Sequence, residues 1–314
     1  MSLIKSFIYI KEQAGYKAAI NTSLDFLLKK TYALPYYVSG MTDYYFNPNA
    51  FKQSNIAPLI DNKEIRKEFI DNGFEVIDYE IDKAEFNQWL HEVNFTKYYS
   101  EAYGEAFTEK ALEHYLSSKL LDLNNKDVFV DVAAASSPWY DLVEKRYKCK
   151  SFAVDLNFPK KDDPRLIECD ATNMPFDDET IAKIALHCAY EVFENDTDIK
   201  LVKEANRVLI RGGKMVILPL YMNSSYYILS SPKANRKGIA YGKAKRVWRD
   251  DKYPLRFSRH YSVEAFKERV AYHKGELDLK IFCLANEKDM KLQQDDLIYV
   301  KFAACFTKKQ TKGK

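Results

Sequence analysis

The sequence predicts an α/β fold: a doubly wound, mostly parallel sheet with helices on both faces. Two observations carry this. Strands and helices alternate strictly from residue 128 to 220, and the first strand leads through a small-residue loop into a helix, with an acid ending the next strand. Val128, Phe129, Val130 and Val132 form the β-branched and aromatic run of a buried strand, with Asp131 near its carboxyl end. Ala133 to Ser137 follow with almost no side-chain bulk. Ser137 before Pro138 reads as a helix cap followed by a proline suited to the first turn. Ser151 to Val154 is the second strand, ended by Asp155; Leu166 to Cys169, Ile181 to Leu186 and Lys214 to Leu220 are the third to fifth. A helix over Asp198 to Leu209 is expected to stop at Gly212-Gly213.

The flanks read differently. Residues 1–118 are expected to form a mainly helical accessory region, with one short strand over Phe74 to Ile81. Its clearest element is an amphipathic helix over Phe107 to Leu121, with Ala111, Leu112, Tyr115, Leu116 and Leu120 on the apolar face. His114, beside that face, reads as packed or hydrogen-bonded. Residues 119–314 form the main domain, interrupted by an insertion over 221–262. Between Lys233 and Arg259 ten Lys or Arg are opposed only by Asp250 and Asp251, with Tyr and Trp interleaved. That pattern suits either a solvated surface or a lid that recognises an anionic or sugar-bearing ligand. Leu277 to Ala285 and Leu297 to Phe306 are two further strands, expected to pair antiparallel.

Composition excludes more than it selects. With 46% hydrophobic residues and a net charge of +3, the chain is an ordinary globular protein whose total charge does not demand a nucleic acid or a membrane. Five scattered cysteines without a CxxC pair read as reduced core residues, and no metal-ligand constellation stands out. No apolar run reaches membrane-spanning length and no cleavable leader is evident, so a cytoplasmic location is expected.

Four motifs between Asp127 and Leu220 together resemble the class I S-adenosylmethionine-dependent methyltransferases, the small-molecule group in particular. The Asp131 loop resembles the family's acid and glycine-rich loop, and Asp155 its second-strand acid. Cys169-Asp170-Ala171 with Met174-Pro175-Phe176-Asp177 resembles the third motif, and Glu204 to Gly213, EANRVLIRGG, the fourth. The resemblance implies a Rossmann-like seven-stranded methyltransferase sheet and S-adenosylmethionine as cofactor. It also implies roles. Asp131 would meet the ammonium of the cofactor, and free N–H groups of Ala133, Ala135, Ser136 and Ser137 its carboxylate. Asp155 with Leu156 would meet the ribose, and Asp170 with Ala171 the adenine. The departure lies in the loop, where Ala133, Ala135 and Ser137 replace all three glycines. Left-handed backbone at each would cost about 1–2 kcal/mol, so a right-handed path is expected.

The resemblance points to methyl transfer onto an oxygen or nitrogen of a small-molecule or sugar-type acceptor. His187, at the end of the fourth strand, is expected to touch the cofactor and is the first candidate base, with Glu191 as its partner and Tyr221 and His260 contributing from the insertion. Other readings stay open: a catalytically inactive methyltransferase-like interaction module with an oligomer or partner surface on its N-terminal region, an RNA methyltransferase, or another nucleotide-cofactor enzyme.

Overall fold

The structure, a computed structural model, describes residues 11, 16, 20, 31–53, 62–158, 163–249, 255–292 and 296–310. The chain divides into two compact units, 57–227 with 259–314 and 1–56 with 228–258. With elements numbered along the chain, the larger unit holds an eight-stranded sheet. Its strands are β2 (Glu75–Tyr79), β3 (Val128–Val132), β4 (Lys150–Asp155), β5 (Leu166–Glu168), β6 (Ile181–His187), β7 (Leu209–Leu218), β11 (Leu277–Leu284) and β12 (Phe302–Lys308). They lie in the order β2-β11-β12-β7-β6-β3-β4-β5. Only β12 runs antiparallel to its neighbours, pairing Ala304 with Ile217 on one side and with Ile281 on the other. Seven of these strands thus form the expected sheet, reversing direction of build-up beside β3, where ligands of such sheets bind.

The eighth strand moves the expected boundary. β2 pairs in parallel with β11, from Glu75 opposite Lys280 to Tyr79 opposite Leu284. The helices α1 (Asn62–Asp71), α2 (Lys83–Glu92), α3 (Phe95–Tyr103) and α4 (Phe107–Leu121) lie in the same unit. Phe69 and Phe86 are fully buried in its two larger core clusters. Residues 62–118 are therefore integral to the sheet's unit rather than accessory to it. Residues 221–262 are divided as well: 228–258 fold with residues 1–56, and the rest with the sheet. Residues 31–46 are helical, and β1 (Phe51–Gln53), β8 (Tyr227–Ser230), β9 (Lys245–Arg249) and β10 (Ser258–His260) form a second sheet ordered β1-β9-β8-β10.

Three local expectations change. The helix α5 (Thr197–Val208) passes straight into β7, and Gly212-Gly213 lies inside that strand instead of ending the helix. A Cβ on Gly213 would stand 2.8 Å from the Ile210 carbonyl oxygen and 3.0 Å from that of Ala182. The glycines serve a bulge, where the register with β6 shifts between Ile181 and Lys183. Second, residues 297–301 precede the last strand, which begins at Phe302. Third, the loop after β3 does not take a right-handed path. Ala133 has φ 57° and Ala135 φ 49°, so the left-handed turns are kept without glycine.

Hydrogen bonds hold those turns. Ala134 donates to the Val154 carbonyl at 3.3 Å, Ala135 to Asp155 Oδ2 at 2.8 Å, and Ser137 to the Ala134 carbonyl at 2.8 Å. Ala133→Gly and Ala135→Gly are each expected to stabilise the protein by up to about 1 kcal/mol, measured by urea unfolding, because glycine meets no Cβ penalty there. Unchanged or lowered stability in both variants would contradict a strained loop.

Candidate active site

α4 supplies one wall of the site. It packs on β6 and β7, and its last carbonyls at Leu120 and Leu121 accept from Lys214 and Lys183 at 3.2 and 2.6 Å. Those ammoniums complete the helix's free carboxyl end. The helix is buried almost all round, polar residues included, so it is not amphipathic in its setting. Glu109, Glu113 and Ser117, spaced by four, lie along it beside Lys110 and His114.

A cavity of about 300 Å³ lies between this helix and the carboxyl ends of β3 and β6. It is lined by Lys110, Glu113, His114, Asp131, Val132 to Ala135, Ser137, His187 and Cys188. Asp131 is 2% exposed, and burial followed by the charge of Asp155 pushes its carboxyl well above the usual range. Its Oδ1 stands 3.3 Å from His187 Nδ1, while Oδ2 has no hydrogen-bond partner among the described residues. His187 Nε2 lies 2.8 Å from Ser117 Oγ. Burial, then the Lys110 charge, pushes the imidazole down to about 3, so it is neutral and both nitrogens are engaged. His187 is therefore poorly placed to serve as the base. The ring stacks on His114 at 4.2 Å, and His114 in turn meets Trp139 edge-on and the Lys110 carbonyl at 2.6 Å.

A second polar cluster continues from Cys188. Its sulfur lies 3.6 Å from Glu191 Oε1, 3.6 Å from the Tyr221 hydroxyl and 3.9 Å from that of Tyr299. Burial lifts the Glu191 carboxyl to about 7, and its Oε2 has no partner among the described residues. Burial opposes the charge of Lys110, but Glu113 at 2.7 Å outweighs it and holds the ammonium charged. Glu109 is pushed well up by burial and by Glu113; its Oε1 has no hydrogen-bond partner among the described residues, and its Oε2 accepts from the Tyr299 and Val300 amides at 2.8 and 3.1 Å. His260 is fully buried against the rings of Tyr221 and Tyr227, and burial pushes it down to about 3. Three of the four residues singled out as candidate catalysts, Glu191, Tyr221 and His260, thus stand in one cluster, with Glu191 the carboxyl nearest to titrating at neutral pH, while His187 belongs to the Asp131 network.

The remaining candidates lie at the ends of β4 and β5. Asp155 Oδ2 receives the Ala135 amide and Oδ1 the Asn157 amide at 3.2 Å. Leu156 is 76% exposed beside it, and Ser136 is exposed on the loop. Asp170 is exposed and accepts through Oδ1 from the Thr172 amide and hydroxyl at 2.8 and 2.7 Å, with Ala171 half-buried next to it.

A family model described as a methyltransferase domain matches residues 130–217, which spans this loop, both strand-end acids and His187. That segment is a class I methyltransferase domain. S-adenosylmethionine is the cofactor of the class. No curated protein sequence matches the chain. Among solved structures, 1,6-didemethyltoxoflavin-N1-methyltransferase from Burkholderia thailandensis is 9% identical over 85% of this chain and 98% of its own, with a TM-score of 0.42. A SAM-dependent methyltransferase from Methanosarcina mazei is 12% identical over 60% of this chain and 95% of its own, with a TM-score of 0.40.

The residues lining this cavity fit that cofactor. Its amino-acid end carries an ammonium and a carboxylate, and the cavity offers both complements: the unpartnered buried oxygen of Asp131 and the ammonium of Lys110. The loop amides expected to meet the carboxylate are partly spoken for, since those of Ala135 and Ser137 already donate within the protein. Lys110, Glu109, Glu113, Cys188 and Tyr299 escaped sequence reasoning. The signal present was the i, i+4, i+8 row of Glu109, Glu113 and Ser117, polar groups on a helix otherwise suited to a core. Among the described residues no group of three or more His, Cys, Asp or Glu could hold a metal ion.

Proposed function

We propose that this chain transfers a methyl group from S-adenosylmethionine to an oxygen or nitrogen of a small acceptor. The carrying observation is Asp131, a buried carboxyl with one oxygen unpartnered among the described residues, lining the same cavity as the Lys110 ammonium. When bound, the cofactor supplies an electrophilic methyl on a sulfonium. Asp131 and Lys110 hold the amino-acid end, and the loss of water around them strengthens both contacts. Asp155 and Asp170 serve the nucleoside, with Asp155 also tying down the Ala135 turn. Glu191 takes the acceptor's proton, since a carboxyl near 7 is poised for that at neutral pH. His187 orients Asp131, and Tyr221 with Cys188 orients Glu191. Glu113 lines this end of the cavity, with Glu109 and Glu191 buried beyond the lining, and that carboxyl-rich setting favours a neutral hydroxyl or an amine over an anionic group there.

S-adenosylhomocysteine at about a hundred times its dissociation constant is expected to stabilise the protein by roughly 2.7 kcal/mol, a rise of several degrees in a thermal-shift assay. NAD and a nucleotide sugar are expected to give no shift, and Asp155→Ala to lose most of the response. No shift with either S-adenosyl compound, in protein shown to be folded, would sink the reading and leave the methyltransferase-like interaction module in its place.

A further inference from the structure

The smaller unit has a charge of its own. Residues 1–56 and 228–258 carry 15 Lys or Arg against 5 Asp or Glu, a net of +10, whereas the rest of the chain carries a net of −7. The total of +3 hides this division. A positive field of that size on fewer than ninety residues attracts polyanions and speeds their encounter.

The unit also exposes aromatic rings beside several of its described basic side chains. Phe46 is 80% exposed, Tyr45 63% and Phe51 59%. Phe51 and Lys52 lie on β1, the edge strand, opposite Val247 and Trp248 of β9. The Lys52 ammonium sits 4.5 Å from the Tyr44 ring and that of Lys245 5.8 Å from the Phe51 ring. A cavity of about 290 Å³ opens here, lined in part by Phe51, Tyr241, Trp248, Asn47 and Arg246. The Arg246 guanidinium lies over Tyr241 at 4.5 Å and over Trp248 at 5.2 Å. Its one acid, Asp43, is engaged by Asn47 Nδ2 at 2.8 Å and Trp248 Nε1 at 2.7 Å and lies 3.9 Å from the Arg246 guanidinium, so it offsets part of that one cation and leaves Lys52 and Lys245 to the surface.

We infer that this face of the smaller unit binds single-stranded nucleic acid. Exposed rings interleaved with ammonium and guanidinium groups match a strand that offers a base face and a phosphate at each nucleotide. A duplex hides its base faces, and would use the charges but not Phe46 and Phe51. An anionic membrane surface would use the charges and rings together without regard to strand geometry. Binding by this unit stands apart from methyl transfer in the larger one, and the two can fail separately.

The test is fluorescence anisotropy of the full-length chain with a labelled uridine dodecamer, a duplex of the same length, and phosphatidylserine–phosphatidylcholine vesicles. Saturable binding of the dodecamer is expected, preferred over the other two. Three phosphate contacts, by Lys52, Lys245 and Arg246, give a log–log salt slope of about −2, so affinity falls about twentyfold from 50 to 200 mM salt. Phe46→Ala with Phe51→Ala is expected to weaken binding about tenfold or more, with little change in salt slope. Lys245→Gln with Arg246→Gln is expected to reduce the slope by about 1.4. All four side chains are on exposed positions, and thermal unfolding of each variant checks that it folds. No saturable dodecamer binding at low salt, a preference for duplex or vesicles, or full affinity in the folded phenylalanine variant would each overturn the inference.

Discussion

Asp131→Asn is expected to make the ligand-free protein more stable at neutral pH and to abolish cofactor binding. The carboxyl sits well above its usual range because it is buried and faces the charge of Asp155. The folded state therefore holds this proton more tightly than the unfolded chain does. Its stabilising contribution is complete below the ordinary carboxyl value of 3.8 and is lost as pH rises through the raised value. Asparagine keeps the shape without the ionisation, so the loss disappears. Binding runs the other way. An ammonium entering the cavity favours the carboxylate, so S-adenosylhomocysteine should bind more tightly as pH rises and should release a proton while Asp131 is protonated. Calorimetry in buffers of different ionisation enthalpy reads that proton directly. For the asparagine variant a loss of about a hundredfold in affinity is expected, as for truncating one side of a buried charged pair. Parent-like affinity in Asp131→Asn would remove Asp131 from the site.

Glu191→Gln should flatten the acid-to-neutral dependence of stability. Burial lifts this carboxyl from 4.5 to about 7, so the folded state gains from its proton below 4.5 and loses that gain as pH rises through 7. The difference amounts to roughly 3 kcal/mol across that window. Thermal midpoints at intervals between pH 4.5 and 8 should fall more steeply in the parent than in the variant. Affinity for S-adenosylhomocysteine should stay within about twofold, because Glu191 lies behind Cys188 and does not line the cofactor cavity. Once an acceptor is in hand, turnover should drop by about a hundredfold or more. Equal pH slopes in parent and variant would mean that Glu191 is not the group held near neutrality.

Much of the sheet was legible because its signals are local. The runs over Val128–Val132 and Ile181–His187 are buried on both faces and read as continuous apolar strands, and Asp131 and Asp155 fall at their predicted ends. What was not legible depends on distance or on competition. Glu75 to Tyr79 reads as a strand, but nothing in five residues says that its partner lies some two hundred positions away. Gly212 and Gly213 carry a genuine stop signal for a helix, and the same two residues serve a bulge, Gly212 with φ 77° and Gly213 where the carbonyls of Ile210 and Ala182 crowd it. At Ala133 and Ala135 propensity pointed to a right-handed path, and the hydrogen bonds to Asp155 and Val154 prevailed over it. His187 drew attention as a base by its type and place. Only its surroundings, Ser117 on one nitrogen and Asp131 on the other, show that it is already committed.

The parallel pairing of β2 with β11 also bears on how the chain comes into being. Val76 pairs with Ile281, and the Ile81 amide donates to Asn286 Oδ1, so the strand's partners are made last. During synthesis residues 75–79 leave the ribosome long before residues 277–284 exist, and closing so long a loop is slow. The nascent chain must carry an unpaired strand edge through most of its translation, which is where chaperone engagement would fall.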